Sequence, residues 1–258
     1  MNISNICVYG TDGRMDYVAQ TFYDFGYDVY RDITALHDQV AVILPPPVGE
    51  SMMSQVLPYL KPGYSVYGGM ISNRFKHECD LLSVSCFDYL TWDHVTEENA
   101  ILTGKGIIRE AISYGAVIEE SDCLITGYGF CGKALANLLS EAGAHVDVMV
   151  RNKSLAQELC DNNYGYVDMY AFNRLNMEKY SYVFNTVPAL VLDADVLCYL
   201  SSNVMIFDIA SMPGGTDFDY CKKNNIFAVS SLGIPGKEFP KEAGEIIAHA
   251  VIADINRR

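Results

Sequence analysis

Short apolar runs alternate along the chain with segments whose apolar residues recur at helical spacing. In the first part of the chain the strand-like runs are NICVYG, YDVYR, QVAVILP and YSVYGG, and the helix-like segments include RMDYVAQTFYDFG and SMMSQVLPYL. The run LLSVSCFDY predicts one or two further short strands. Because strands that alternate with helices usually pair in parallel, this pattern predicts an α/β domain with a parallel sheet.

A long helical segment from Asp93 to Val117 separates this pattern from a second one, although Gly104 and Gly106 lie inside it. Strands and helices then alternate again through DCLITGYG, FCGKALANLLSEAG, AHVDVMV and KSLAQELCDNN, and three strand-like runs follow, YSYVFNTVP, NVMIFDIA and NIFAVSSLG. The final segment, PKEAGEIIAHAVIADI, has helical periodicity and a proline at its start.

The two patterns predict an α/β protein with two open parallel-sheet domains joined by a long interdomain helix. The predicted divisions are an N-terminal, substrate-side domain at 1–96, the interdomain helix at 97–118, a second domain at 119–236 and a C-terminal helix at 237–258. The periodicity leaves open whether the C-terminal helix packs back on the first domain.

A glycine-rich turn between a predicted strand and a predicted helix carries the strongest generic motif. It has the G-x-G-x-x-G spacing and consists of Gly127, Tyr128, Gly129, Phe130, Cys131 and Gly132. The first glycine permits the tight turn, the second lets a pyrophosphate approach the backbone, and the third lets helix and strand pack closely. Free N–H groups at the helix N-terminus attract phosphate. The motif predicts a Rossmann dinucleotide-binding domain; an ordinary glycine turn is the alternative.

The next predicted strand, HVDVMV, bears on the choice of cofactor. An NAD site usually has an acidic residue at the end of this strand, whereas an NADP site has arginine for the 2′-phosphate. Here the strand ends at Val150, and Asp147 lies inside it. The residues that follow can all contact a phosphate: Arg151, Asn152, Lys153 and Ser154. The loop favours NADP over NAD, and a solvated surface charge is the alternative role of Arg151.

Three further strand ends of the second domain turn on proline, glycine or small residues. They are NTVP, DIASMPGG and SLGIPG. Because ligands of open α/β sheets bind at the carboxyl ends of strands, further cofactor contacts are predicted from Asn185, Thr186, Val187, Pro188, Asp208 and Ala210. Turn closure and helix capping are the alternative roles of the polar residues Asn185, Thr186 and Asp208. Beyond this loop, Thr216 and Asp217 are predicted to begin the next helix as N-cap and first-turn acid.

Composition narrows the class of protein. Of the 258 residues 19% are charged and 50% hydrophobic, and the net charge is −14. A duplex nucleic-acid binder needs a basic surface, so nucleic acid is not an expected partner. No apolar run reaches the ~18 residues of a membrane span, and no signal peptide is expected.

The polar and thiol residues give no catalytic or metal-binding motif. Eight cysteines without a C-x-x-C pair indicate free thiols in a reducing cytoplasm. A thiol at a helix N-terminus can have a lowered pKa, but we interpret Cys131 as a packing residue. No metal-ligand spacing, acid/base pair or triad is visible, so the catalytic residues stay unassigned.

Several of these motifs together resemble one family. DIASMPGGTDF and GIPGKEFPKEAGEIIAHAV, with GYGFCG, RNK and NTVP, are similar to the A subunit of dipicolinate synthase, and YGTDGR, VILPPPVGE and GGMIS fit less specifically. The resemblance implies an NADP-binding subunit, similar to D-2-hydroxyacid dehydrogenases and alanine dehydrogenase. The partner that it further implies is a flavoprotein B subunit, in the mother-cell cytoplasm of spore-forming bacteria. Together they would make dipicolinate from a dihydrodipicolinate-type intermediate of the lysine pathway; a homo-oligomer is left open.

The substrate implied by this resemblance is a dicarboxylate ring, which requires cations. Loss of a hydride makes the ring aromatic, so the protein mainly has to position it. The substrate-side candidates are Arg14, Lys105, Ser211, Gly233 and Lys241, with Arg109 as a weaker cation. Met212 stands where the family is expected to have arginine, and methionine cannot pair with a carboxylate. Two alternatives are an NADP-dependent dehydrogenase of another small carboxylate and a nucleotide-binding partner subunit without hydride chemistry.

Overall fold

The computed structural model describes residues 3–36, 39–171 and 177–258. The chain divides into two compact units, one formed by Met1–Asn99 with Pro235–Arg258 and the other by Ala100–Ile234. The first division falls inside a long helix, α4 (Asp93–Ser113), and the second at the start of a short helix, α9 (Ile234–Glu238). The divisions predicted at 96/97 and 236/237 lie a few residues away from these.

The first unit contains a five-stranded parallel sheet in the order β2-β1-β3-β4-β5. Its strands are β1 (Asn5–Val8), β2 (Asp28–Tyr30), β3 (Val40–Ile43), β4 (Ser65–Gly68) and β5 (Ser85–Asp88). Its helices are α1 (Arg14–Asp24), α2 (Glu50–Val56), α3 (Asn73–Leu81) and α10 (Pro240–Arg257), and 3-10 turns lie at Ile33–Ala35, Leu57–Tyr59 and Tyr89–Thr91. The strand order reverses between β1 and β3.

Alternate residues of β1 point to opposite faces of this sheet, and both faces are buried. Ile6 and Val8 pack in one core together with Ile247 and Val251 of the C-terminal helix. Cys7 packs in the other core. Burial on both faces explains why this strand reads as a continuous apolar run. The C-terminal helix therefore supplies core residues to the first unit.

The second unit contains a six-stranded parallel sheet in the order β11-β10-β9-β6-β7-β8. Its strands are β6 (Asp122–Thr126), β7 (His145–Val150), β8 (Gly165–Asp168), β9 (Tyr182–Asn185), β10 (Met205–Asp208) and β11 (Phe227–Ser230). Its helices are α5 (Phe130–Glu141), α6 (Leu155–Asp161), α7 (Ala194–Leu197) and α8 (Phe218–Lys223). This is the strand order of doubly wound dinucleotide-binding domains, and it reverses between β6 and β9.

The long helix α4 continues through its glycines. Gly104 lies against α5, where an added Cβ would meet Leu138 Cδ1 at 2.7 Å. Glycine therefore lets the two helices approach closely, and this packing offsets its low helix propensity.

The two parallel sheets confirm the α/β class predicted from the alternating pattern. Within the described ranges, none of the helices combines the length and the apolar character needed to traverse a lipid bilayer.

Candidate functional site

The carboxyl ends of β6 and β9 meet where the strand order of the second sheet reverses. The buried Asn185 side chain accepts hydrogen bonds from Thr126 Oγ1 and from the Val187 N–H (3.1 Å), and its Nδ2 donates to the Val187 carbonyl (3.1 Å). Thr186 Oγ1 donates to the Thr126 carbonyl (2.7 Å). Pro188 follows at the exposed rim. These bonds satisfy the buried polar groups and hold the loop after β9 beside the turn after β6.

The turn from β6 into α5 leaves its backbone open where a phosphate would bind. Gly127 has a φ of +89°, which favours glycine, and an added Cβ at Gly132 would collide with the Gly127 carbonyl. At Gly129, in contrast, an added Cβ would have no atom within 4 Å. Gly129 is the N-cap of α5, whose first turn carries no acidic residue. The open space and the helix N-terminus fit a pyrophosphate.

The larger side chains of this turn lie around its rim. Lys133 Nζ lies 5.0 Å from the centroid of the Tyr128 ring and 2.7 Å from Glu158 Oε1. Phe130 is exposed. Burial raises the pKa of the Cys131 thiol above its usual value. The thiol therefore stays protonated at neutral pH, which supports a packing role.

The loop after β7 is exposed, and its polar side chains differ in the hydrogen bonds and ion pairs that they make. Asn152 Oδ1 accepts hydrogen bonds from the Ser154 N–H (3.0 Å) and hydroxyl (2.8 Å). Lys153 Nζ lies 2.8 Å from Asp168 Oδ2 and holds the pKa of that carboxyl below its usual value. Arg151 is exposed, and no ion pair of it is found among the described residues. Arg151 is thus the cation of this loop that is available to a ligand.

Two carboxylates near this loop have different surroundings. Asp147 lies inside β7, and its Oδ2 accepts hydrogen bonds from Lys179 Nζ (2.6 Å) and Tyr180 OH (2.6 Å). It therefore belongs to the packing of the sheet. Asp168, which sequence reasoning missed, ends β8 and engages Lys153. Its position at a strand end was the available signal.

Asp208 closes the loop that follows β10. Its carboxylate is almost fully buried and accepts hydrogen bonds from the N–H groups of Ala210 (3.0 Å) and Gly215 (2.9 Å). An added Cβ at Gly215 would collide with the Val187 carbonyl and lie 2.5 Å from Asn185 Nδ2. This loop therefore lies directly against the loop after β9. Because both carboxylate oxygens of Asp208 accept hydrogen bonds from N–H groups of the loop, this side chain closes the turn.

The helix α8 begins one residue later than predicted. Asp217 is its N-cap, with Oδ1 accepting a hydrogen bond from the Tyr220 N–H (2.8 Å). Thr216 precedes the cap and forms a parallel bridge with Leu192. The prediction of Thr216 as N-cap and Asp217 as first-turn acid was wrong, because Asp217 Oδ1 caps the helix, while the buried Thr216 Oγ1 has no hydrogen-bond partner among the described residues.

The candidate substrate residues fall in both units. Lys105 and Ser211 are exposed in the second unit, where Gly233 has a φ of +72°. Lys241 is exposed in the first unit, with Nζ 3.9 Å from Glu245 Oε1. Lys105 and Lys241 are therefore solvent-accessible cations.

Arg14 is engaged by groups of its own unit. Its Nε and NH2 form a fork on the Asp12 carboxylate (2.8 and 2.7 Å), and NH2 also donates to the Pro46 carbonyl (3.1 Å). The pairing lowers the pKa of Asp12, and only 14% of the Arg14 side chain is exposed. An added Cβ at Gly236 would meet the guanidinium carbon at 2.9 Å. Arg14 thus ties three segments together, and a substrate carboxylate would have to displace Asp12.

The two α/β units have a dehydrogenase-like fold. The D-lactate dehydrogenase of Salmonella is similar with a TM-score of 0.69 at 11% identity, over 97% of this chain and 96% of that chain. At this identity the likeness concerns the fold alone.

Within this class, the protein is similar to the A subunit of dipicolinate synthase. The crystal structure of that subunit from Bacillus halodurans matches with a TM-score of 0.86 at 22% identity, over 98% of this chain and 97% of that chain. The Bacillus subtilis (strain 168) protein is 31% identical over 161 residues, which are 62% of this chain and 54% of the relative. The match therefore spans about half the length of that relative. No protein-family model matches the chain. The resemblance indicated by the sequence motifs is confirmed.

The close approach at Gly215 generates a prediction about stability. Gly215→Ala is expected to destabilise the protein by about 1–3 kcal/mol, because the added methyl overlaps atoms of the loop after β9. Gly129→Ala is the matched control in the same unit, since its methyl has free space. Urea unfolding followed by circular dichroism measures both variants. Equal stability of Gly215→Ala and the wild type would contradict the described packing.

Proposed function

We propose that the chain is the NADP-binding oxidoreductase subunit of a dipicolinate synthase. The observation that carries this proposal is the open glycine turn at the strand-order reversal, found in a chain 31% identical over 161 residues to the A subunit of a dipicolinate synthase. The turn would supply the site for a dinucleotide, and the name of the relative supports the proposed substrate class.

The described residues would hold a nicotinamide dinucleotide in a specific arrangement. The N–H groups that begin α5 would bind the pyrophosphate next to Gly129. Arg151 would bind the 2′-phosphate as a bidentate donor, with Lys153 able to join if it leaves Asp168. The loops after β9 and β10 would line the nicotinamide end. When bound, the nicotinamide accepts a hydride from the substrate.

The protein's own groups would mainly orient the substrate. A dihydrodipicolinate-type ring loses one hydride and one proton to become aromatic, and water can take the proton. The carboxylate of Asp208 is occupied by backbone N–H groups, so it serves the shape of the loop. Ser211 and the exposed cations Lys105 and Lys241 are the candidates for the substrate carboxylates. Catalysis would then depend on positioning hydride donor against acceptor.

A partner and a cellular setting follow from the same relative. Because that relative is named as one lettered subunit of a synthase, its name implies at least one further subunit. We propose that this partner is a flavoprotein B subunit. The setting would be the cytoplasm of a sporulating cell, with the substrate drawn from the lysine pathway.

Met212 favours a second candidate function. It is 76% exposed in the loop after β10, where a carboxylate-binding arginine is expected. A thioether gives a carboxylate no charge partner. This favours either another small carboxylate as the substrate or nucleotide binding without hydride chemistry.

The choice of cofactor can be tested at Arg151. Arg151→Ala is expected to weaken NADPH binding about tenfold or more, since a charge-assisted contact to a phosphate is lost, and to leave NADH binding nearly unchanged. Lys153→Ala should have a smaller effect because Asp168 holds that lysine. Fluorescence titration with both nucleotides measures the ratio, and Lys223→Ala is the control outside the site. Equal losses for NADPH and NADH would contradict this account of the loop.

The reaction itself is tested with dihydrodipicolinate and NADP⁺, with and without a flavoprotein B subunit. Reduced nicotinamide and dipicolinate are expected to appear in equal amounts, measured by absorbance and chromatography. Reduction with other small carboxylates alone would support the first alternative. If the chain binds the nucleotide but the nicotinamide is not reduced under any condition, the result would support the second alternative, a nucleotide-binding partner subunit without hydride chemistry.

A further inference from the structure

A cleft of about 600 Å³ opens at the carboxyl end of the sheet in the first unit. The strand order of this sheet reverses between β1 and β3. The loop after β1 lines the cleft with Gly10 and Thr11, and the segment after β3 lines it with Pro47 and Gly49. Ligands of open α/β sheets bind at such reversals, and the volume lies in the range of small-molecule sites, roughly 300–1,000 Å³.

One wall of this cleft carries a cation that the backbone holds in place. Arg31 NH1 donates to the Met15 carbonyl (2.8 Å), and NH2 donates to the Gly10 carbonyl (3.1 Å). These bonds orient the guanidinium, while 43% of the side chain stays exposed. The ion pair with Asp16 spans 3.1 Å, and Asp16 is itself 78% exposed, so water weakens that pair. Arg31 can therefore accept a second anionic partner.

A neighbouring carboxylate does not compete for Arg31. Asp12 lies in the same loop, but its two oxygens are bound by Arg14. The charge of this carboxylate is therefore already balanced within the loop. Arg31 is therefore the cation with which an anion in the cleft would pair.

The lining of the cleft also includes an aromatic ring and a thioether. Tyr9 OH donates to Gln55 Oε1 (2.9 Å), and Gln55 Nε2 donates to Ser51 Oγ (3.3 Å). These bonds position the Tyr9 ring at the cleft, and the thioether of Met52 lines it as well. Phenol rings and thioethers make favourable contacts with aromatic rings. Thr11, whose side chain can form hydrogen bonds, also lines the cleft.

We propose that this cleft binds a planar aromatic acid, with a carboxylate on Arg31 and the ring against Tyr9 and Met52. The proposal rests on the proposed function, because a dipicolinate-type ring is the aromatic acid which that reaction would produce. In this arrangement the cation of the cleft is Arg31, and Arg14 stays paired with Asp12.

The experiment titrates the full chain with pyridine-2,6-dicarboxylate by calorimetry, without nucleotide and in buffer freed of divalent metal ions. One saturable site is expected. Arg31→Gln should weaken binding at least tenfold. Lys61→Gln removes the same charge from an exposed position outside the cleft and should bind like the wild type. Glutarate, which has similarly spaced carboxylates but no ring, should bind at least tenfold more weakly.

A second variant separates binding from folding. Arg31 supports the turn into α1, so Arg31→Gln can also affect stability. Ser51→Trp fills the cleft and leaves in place the hydrogen bonds from Arg31 to the Met15 and Gly10 carbonyls. This variant should not bind the acid, while its melting temperature and its NADPH affinity should equal those of the wild type. The proposal is overturned if the wild type does not bind the acid, if glutarate binds equally well, or if binding survives both substitutions. NADPH affinity and the oxidation assay report separately on the proposed function.

Discussion

The buried side chain of Asn185 is the interaction on which the candidate site of the second unit depends. At a strand-order reversal the connections of adjacent strands leave toward opposite faces of the sheet, so nothing in the topology itself holds their loops together. Asn185 supplies that link by bonding Thr126 on β6 and both backbone groups of Val187. Removal of its amide would leave buried polar groups unpaired, at a cost of about 1–3 kcal/mol for each.

The same link extends to the third strand end. Gly215 packs against the Asn185 amide and the Val187 carbonyl, with no room for a side chain. Asp208 holds Gly215 from the other side through its N–H. Three strand ends are therefore fixed relative to each other by contacts that need a glycine, an amide and a buried carboxylate. The open face at Gly129 lies at the edge of this fixed assembly, which is the pre-organisation that a nucleotide site requires.

The parts of the fold that could be predicted from the sequence are those whose stereochemical requirements involve residues close together in the chain. The glycine turn was predictable because two of its glycines answer a stereochemical demand within six residues, namely the positive φ of Gly127 and the contact of Gly132 with the Gly127 carbonyl. The start of α8 was not predictable, because Thr216 is held by a bridge to Leu192. Likewise the pairing of Lys153 with Asp168 joins two strand ends. Such partners become neighbours only when the sheet has formed.

Arg14 and Arg31 show the same distinction in the first unit. The sequence indicated Arg14 as a substrate-side cation, yet Asp12, two residues earlier, neutralises it. Arg31 has no motif, since its orientation comes from the carbonyls of Met15 and Gly10, which lie in another segment. The usefulness of a cation thus depended on its surroundings in the fold and not on its place in a motif.

The affinity of Gly129→Ala for NADPH tests the central claim most directly, namely that the backbone of the glycine turn receives a pyrophosphate. The added methyl meets no protein atom within 4 Å, so its effect would report on the ligand and not on the fold. Binding at least tenfold weaker than in the wild type is expected, at an unchanged free energy of unfolding. Wild-type affinity in this variant would contradict it.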